Sequence, residues 1–226
     1  MLRNFILFFA LTFAVAGAPK PEAEILDQYV AASEAQKGAL NGSGMEVDIL
    51  AAVPRMRTQG RLLAFRRISE IGRVTYEALR FEGDRSIRSD VIARYLKAET
   101  QAGDGQGAAL AVTPANYRFR YKGMREWLGR NVHVFEVKPR RKRIGLYEGQ
   151  LWLDEETSLP LREFGRLVKS PSIFLKQVEF VREYTIRDGI AVPAILRSSI
   201  ETRIVGTAHL SVSYVEPPPE AAAPLS

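Results

Sequence analysis

The stretch that decides the fold is 174–205, FLKQVEFVREYTIRDGIAVPAILRSSIETRIV. Two long segments rich in β-branched and aromatic residues flank Asp188-Gly189, a dipeptide typical of a tight turn between antiparallel strands. In the second segment one face carries Val192, Ala194, Leu196, Ile200 and Ile204, and the other carries Arg197, Ser199, Glu201 and Arg203. The stretch therefore predicts a long β-hairpin with one apolar face.

The same alternation recurs on both sides of this hairpin. The residues at 117, 119 and 121 are aromatic and alternate with basic ones, and further alternating segments fill 131–169. After the hairpin, apolar residues alternate again over 210–214. Nearer the N-terminus, a strand over 45–53 opens a group of three that ends at the glycine at 83. The pattern predicts three strands, a helix and then about seven strands.

Two segments have the period of an amphipathic helix. Ile25, Leu26, Tyr29 and Val30 lie on one helical face, and a second apolar stripe follows Asp84. The members of that stripe are Ile87, Val91, Ile92, Tyr95 and Leu96. The spacing predicts two helices, and the glycine-rich segment 101–107 is predicted to break the second one.

About ten consecutive antiparallel strands cannot stay flat, because sheet twist accumulates from strand to strand. The predicted fold class is therefore mainly β (α+β): a curled antiparallel sheet, or half-open β-barrel, of about ten strands with two covering helices. Residues 19–216 are expected to form this single domain. The segment 217–226 is rich in proline and alanine, which predicts a disordered tail.

The N-terminus predicts export. Arg3 precedes an apolar run over 5–15, and small residues occupy 14–18, which is the pattern of a cleavable signal peptide over 1–18. An uncleaved anchor is the alternative, although the run is short for a permanent span. The expected location is the periplasm, with secretion to the medium as the alternative.

Composition narrows the classes of function. The 226 residues include no cysteine and two histidines, and the chain has a formal net charge of +6. The chain therefore offers no thiolate ligand or cysteine nucleophile and little material for a histidine metal site. It also lacks a Gly-x-Ser-x-Gly turn, so we predict no catalytic residue, no metal and no cofactor. Export argues against nucleic acid as the partner of the basic chain, and a monomer is expected.

If the apolar faces of the strands line the concave side, two helices need not fill it, and an apolar pocket for a lipid or acyl chain results. The candidate cavity and lid residues are Val47, Ile49, Ile87, Val91, Tyr95, Tyr117, Phe119, Tyr121, Val178, Phe180, Leu196, Ile200, Leu210 and Val212. A solidly packed core is the alternative, because alternation looks the same in both cases.

A second candidate site is the basic turn made of Arg140, Arg141, Lys142 and Arg143. Four adjacent cations could contact anionic lipid head groups, each contributing about 1 kcal/mol near a membrane surface. The alternative is a solvated hairpin tip that prevents pairing between sheet edges.

The segments FEVKP at 135–139 and GQLWLDEETSLPLR at 149–162 carry a family resemblance. They resemble the part of the periplasmic lipoprotein carriers (the LolA/LolB-like fold, shared by RseB-type sensor domains) in which a strand ends in Asp and restarts at Leu-Pro-Leu-Arg. The resemblance implies a half-open barrel that holds a lipophilic ligand or lipoprotein acyl chains under a lid. Asp154 itself is predicted to stabilise the turn.

Two hypotheses about function follow. In the first, the protein is a non-enzymatic periplasmic binding protein for a lipid or lipoprotein acyl chain. Outer-membrane lipoprotein sorting is the process in which such a protein could take part. In the second, the same fold is an envelope sensor or scaffold that binds a protein partner without lipid. The second hypothesis places the partner on an exposed sheet edge or on Arg118, Arg120, Arg197 and Arg203.

Overall fold

The computed structural model describes residues 22–103 and 107–215. The predicted signal peptide at 1–18 and the predicted tail at 217–226 lie outside these residues. Ten strands form one sheet: β1 Gly44–Val53, β2 Thr58–Ile68, β3 Val74–Gly83, β4 Tyr117–Trp127, β5 Arg130–Pro139, β6 Tyr147–Asp154, β7 Pro160–Leu167, β8 Leu175–Arg187, β9 Ile190–Thr202 and β10 Thr207–Val215. This confirms the prediction of three strands followed by seven.

The sheet is antiparallel throughout and open. The strand order is β3-β2-β1-β10-β9-β8-β7-β6-β5-β4, so β3 and β4 are its edges. All connections except one join neighbouring strands, as expected for consecutive hairpins. The closing contact is the pairing of β1 with β10, in which Ile49 lies opposite Val212. The predicted mainly β fold with a curled ten-stranded sheet is confirmed.

The helices lie at two places in the chain. Helix α1 spans Glu22–Ala35, and a second helical stretch between β3 and β4 begins with α2, Arg85–Ile87. A π-helical turn at Arg88–Ile92 and helix α3, Ala93–Gly103, continue it, and α4 is Gly107–Leu110. The predicted break at 101 was wrong for residues 101–103, because glutamine and alanine at 101 and 102 are good helix formers. No helix in the described part of the chain is long and apolar enough to span a bilayer.

The first hydrophobic cluster packs the helical stretch after β3 against β1, β2, β9 and β10. Val47, Ile49 and Val212 are its fully buried strand residues, and Ile87 and Ile92 reach it from the helical side. These strand residues share one face because side chains alternate along a strand. Burial of such side chains contributes about 1.5–3 kcal/mol each, which fixes the helices on this face.

The second cluster lies under α1. Ile25 and Tyr29 from α1 pack against Tyr117, Phe135 and Leu151 of the edge strand β4 and its neighbours β5 and β6. Phe180 of β8 contacts both clusters and joins them. The face of the sheet that carries both clusters is called the helix face below, and the opposite face is called the groove face.

Candidate functional site

A large groove lies on the groove face. Its volume is about 1370 Å³, and residues of all ten strands line it. The groove therefore takes in the whole width of the sheet. We call this feature the cross-strand groove.

Two rows of side chains form the groove, one residue per strand. One row consists of Glu82, Arg61, Leu50, Ser211, Arg197, Val181, Phe164, Gln150 and Glu136, and the other of Gln59, Ala52, His209, Ser199, Glu179, Arg166, Glu148 and Lys138. The residues between the rows contribute backbone only, because their side chains point to the helix face.

Glycines permit the sharp curvature at β6 and β7. Gly149 and Gly165 lie directly opposite each other in the ladder. A Cβ atom added to Gly149 would lie 2.0 Å from the carbonyl oxygen of Phe164, and one added to Gly165 would lie 2.2 Å from that of Glu148. Only glycine allows the two backbones to approach so closely, so this pair permits the sharp bend between β6 and β7.

The charges of the groove are paired. Arg61 binds Asp48 with both ends of its guanidinium, at 2.9 and 2.7 Å. Arg166 donates to Glu148 at 2.7 Å, and this bond lowers the pKa of the Glu148 carboxyl. Lys138 lies 3.9 Å from the same carboxylate. The rim therefore presents both signs of charge without a strong excess of either.

The floor of the groove includes three large apolar side chains. Val181 and Phe164 are half-buried neighbours on β8 and β7, and Leu50 is 49% exposed on β1. Arg197 stands between Leu50 and Val181, but its guanidinium interacts with Glu183 in the next row, at 3.7 Å. An apolar ligand body could therefore lie on the floor while its polar groups meet the rim.

An aromatic cluster continues the groove face beyond Phe164. The guanidinium of Arg162 lies 5.2 Å from the ring centres of Trp152 and Phe164 and 6.0 Å from that of Trp127. Stacking of this kind holds a cation on an otherwise apolar surface. The sequence analysis missed this cluster, although the alternation over β6 and β7 places Trp152 and Phe164 on the same face.

The predicted cavity residues lie on the helix face. Thirteen of the fourteen belong to the two hydrophobic clusters: Val47, Ile49, Ile87, Val91, Tyr95, Tyr117, Phe119, Tyr121, Phe180, Leu196, Ile200, Leu210 and Val212. Val178 is half-buried outside them. Only Phe180 and Leu210 of the fourteen also border the groove. The side chains predicted to line an apolar pocket pack in these clusters, and the groove lies on the other face of the sheet.

A charged pair interrupts the helix face near α1. Glu163 is 6% exposed, and its carboxylate lies 3.3 Å both from Arg182 and from the hydroxyl of Tyr184. Nearby, the hydroxyl of Tyr117 accepts a hydrogen bond from the backbone of Tyr147, and burial raises the pKa of Tyr117 to about 12. These tyrosines are therefore neutral hydrogen-bonding groups at physiological pH.

The remaining predicted positions have simple surroundings. Asp154 is 1% exposed and accepts hydrogen bonds from Arg130 and from both the backbone and the hydroxyl of Thr157, which confirms its role in the turn. His133 contacts the hydroxyl of Tyr121 at 3.0 Å, and His209 lines the groove. Within residues 22–103 and 107–215, no cluster of metal-binding side chains occurs.

The basic turn lies at a hairpin end. Arg140, Arg141, Lys142 and Arg143 are all exposed between β5 and β6. Arg140 donates from Nε to the carbonyl of Pro114 at 2.8 Å, which fixes the base of the turn. The other three side chains point into solvent, as either hypothesis about this turn requires.

Comparisons with known proteins agree with the architecture. No protein-family model and no curated protein matches the chain. A DUF1329 family protein from Desulfovibrio piger matches at 12% identity and a TM-score of 0.44, over 84% of this chain and 90% of that one. A LolA superfamily protein from Nitrosomonas europaea matches at 10% identity and a TM-score of 0.38, over 90% and 97%.

A third solved structure is an outer membrane lipoprotein-sorting protein domain from Vibrio parahaemolyticus. It matches at 13% identity and a TM-score of 0.37, over 84% of this chain and 91% of that chain. Two of these solved structures carry the name of the superfamily or the sorting function that the sequence resembles. At such identities and TM-scores they concern the arrangement of strands, and they carry no argument about ligands.

Proposed function

We propose that the protein is a non-enzymatic binding protein of the bacterial periplasm that holds the acyl part of a lipid or lipoprotein in the cross-strand groove. The observation that carries this proposal is a large groove in which apolar side chains lie beside charged pairs. Leu50, Val181 and Phe164 offer apolar contact, and the pairs Arg61–Asp48 and Arg166–Glu148 flank them.

The size of the groove supports this proposal. A volume of about 1370 Å³ exceeds the roughly 300–1,000 Å³ typical of sites for small molecules. Each methylene removed from water contributes about 0.8 kcal/mol, so a long chain binds without catalytic or strongly polar machinery. The mixed charges of the rim suit the head group of an amphiphile better than a purely apolar ligand.

The test is saturable uptake of a fluorescent fatty acid by the purified protein. Leu50→Asp places a charge on the floor of the groove and is expected to weaken uptake at least ten-fold, because burial of an unpaired carboxylate is unfavourable. Leu79→Asp is the matched control, since Leu79 is 54% exposed on β3 and does not line the groove. Absence of saturable uptake, or equal effects of the two substitutions, would contradict the proposal.

A protein segment is the second candidate ligand, because the rim carries both signs of charge and ends at the edge strand β4, where Lys122 pairs with Glu136. A photoreactive side chain placed at position 50 in living bacteria separates the two candidates. A lipid adduct supports the lipid proposal, and an adduct with another protein supports the scaffold. The same side chain at position 79 controls for random surface contacts.

A further inference from the structure

The two ends of the sheet carry opposite charge. Four hairpin connections lie side by side at one end, at 54–57, 203–206, 168–174 and 140–146 in the order of the strands they join. They contain eight basic residues and no acidic one: Arg55, Arg57, Arg203, Lys169, Arg140, Arg141, Lys142 and Arg143. We call this the basic end.

The connections at the opposite end differ in composition. They span 69–73, 128–129, 155–159 and 188–189. They contain one basic residue, Arg73, and four acidic ones, Glu70, Glu155, Glu156 and Asp188. The excess of positive charge therefore belongs to one end of the strands and is not spread over the surface.

Large apolar side chains project among the cations of the basic end. Ile173 is 80% exposed, Ile204 69%, Phe174 53%, and Met56 and Ile144 are each 51% exposed. Each lies in or beside a turn, where a soluble protein has no need of an apolar residue for folding. A cluster of exposed apolar residues next to unpaired charge marks an interaction surface.

Hydrogen bonds hold these tips in a fixed arrangement. Arg203 donates from Nε to the carbonyl of Ile173 at 2.8 Å and from its backbone to the carbonyl of Phe174 at 2.9 Å. Gly206, in the same turn, lies against the side chain of Arg55. Three of the four connections therefore form one continuous surface before any partner arrives.

The charges of this surface are available to an external anion. Within the described residues, none of the eight cations of the basic end lies in a salt bridge with a carboxylate. Cations that are close to a membrane attract anionic head groups, and adjacent apolar side chains insert among the acyl chains. Both parts of that combination are present here.

We propose that the basic end docks on a bilayer that contains anionic phospholipid. The inserted groups are Ile173, Phe174 and Ile204, and the turn at 140–143 contacts the head groups. Docking in this orientation sets the strands upright on the membrane and turns one long side of the cross-strand groove toward the lipid. The proposal stands on the turns alone and does not depend on what the groove holds.

The experiment is co-sedimentation of the protein, purified from the periplasm, with vesicles of two compositions. Binding is expected to vesicles of equal parts phosphatidylglycerol and phosphatidylcholine, to fall as salt rises, and to be much weaker with phosphatidylcholine alone. Lys142→Gln with Arg143→Gln is expected to lower the partition coefficient about 25-fold, since each cation contributes about five-fold.

The apolar contribution has a matched control at the other end of the sheet. Ile173→Ser with Ile204→Ser is expected to reduce binding at least ten-fold. Ile71→Ser with Leu128→Ser, which removes residues that are 83% and 80% exposed at the acidic end, should leave it unchanged. Equal loss in both double variants, or equal binding to both kinds of vesicle, would overturn the proposal.

Fatty-acid uptake by the same variants separates this proposal from that of the groove. Vesicle binding without uptake contradicts only the proposed ligand. Uptake without preferential binding to the anionic vesicles contradicts only the docking surface.

Discussion

The helix face and the groove face are built from the same ten strands and are stabilised in different ways. On the helix face, Val47, Ile49 and Val212 are excluded from water by contact with one another and with the helices. On the groove face, Arg61 and Glu148 remain in contact with solvent and are held by ion pairs. On β1, the adjacent residues Ile49 and Leu50 therefore differ fully in environment.

This difference explains why one face is closed and the other is open. Apolar side chains gain free energy when helices cover them, whereas paired surface charges contribute little and lose hydration when they are covered. The helices consequently pack on the apolar face and leave the polar face uncovered. An open site can thus lie on the side with fewer apolar residues.

The largest expected effect comes from neighbouring residues on the two faces. Ile49 is fully buried and Leu50 is 49% exposed. Ile49→Ala should lower the free energy of unfolding by about 3–4 kcal/mol, because it leaves a cavity in the first cluster. Leu50→Ala should change it by less than about 0.5 kcal/mol. Denaturant unfolding of both variants measures the difference, and similar losses would show that the groove face is also a packed core.

The next effect concerns the bend that separates the two faces. Gly149→Ala should lower the free energy of unfolding by about 2–3 kcal/mol, because its Cβ would meet the backbone of β7 and force the strands apart. It should also change uptake by the groove, which a purely local defect would not do.

Gly189→Ala is the control for Gly149→Ala. Its Cβ would meet nothing within 4 Å, although its φ of +76° makes alanine unfavourable by about 1 kcal/mol. If the two substitutions had the same effect on uptake, the bend at β6 and β7 would not shape the groove.

Much of the fold could be predicted from alternation and turns. The hairpin around Asp188-Gly189 and the apolar stripe from Ile87 to Leu96 are local patterns, and the structure contains both. The face that holds the groove could not be predicted, since alternation identifies two faces but not which one the helices leave open. The close approach of Gly149 and Gly165 is likewise visible only once the register is known.

The site was harder to predict for the same reason. The apolar residues named from the sequence form the core, whereas the groove depends on rows that cross eight or nine strands. The basic end depends on the pairing of β1 with β10, because this contact brings the turn at 54–57 beside the turn at 203–206. The sequence alone identified only the run at 140–143 as basic.

The smallest effect tests how a buried polar group on the groove face is stabilised. Burial of Asp154 acts to raise the pKa of its carboxyl, but the hydrogen bonds from Arg130 and Thr157 outweigh burial and lower that pKa. Asp154→Asn should therefore lower the free energy of unfolding by about 1–2 kcal/mol at neutral pH. Because its folded pKa lies below the unfolded value of about 3.9, the stabilisation is complete above that pH and disappears as pH falls through the folded pKa.

Glu156→Gln is the matched control, since Glu156 interacts with the same Arg130 at 3.6 Å but its side chain is 83% exposed. It should change the free energy of unfolding by less than about 0.5 kcal/mol, because solvent screens an exposed pair. The measurement is the free energy of unfolding of both variants and of the wild type between pH 2 and 7. The difference between Asp154→Asn and the wild type should shrink at low pH, whereas Glu156→Gln should show no such change. If the free energy of unfolding of Asp154→Asn were lower than that of the wild type by the same amount at every pH, packing and not the charge of Asp154 would stabilise the turn. The two faces would then be stabilised in the same way.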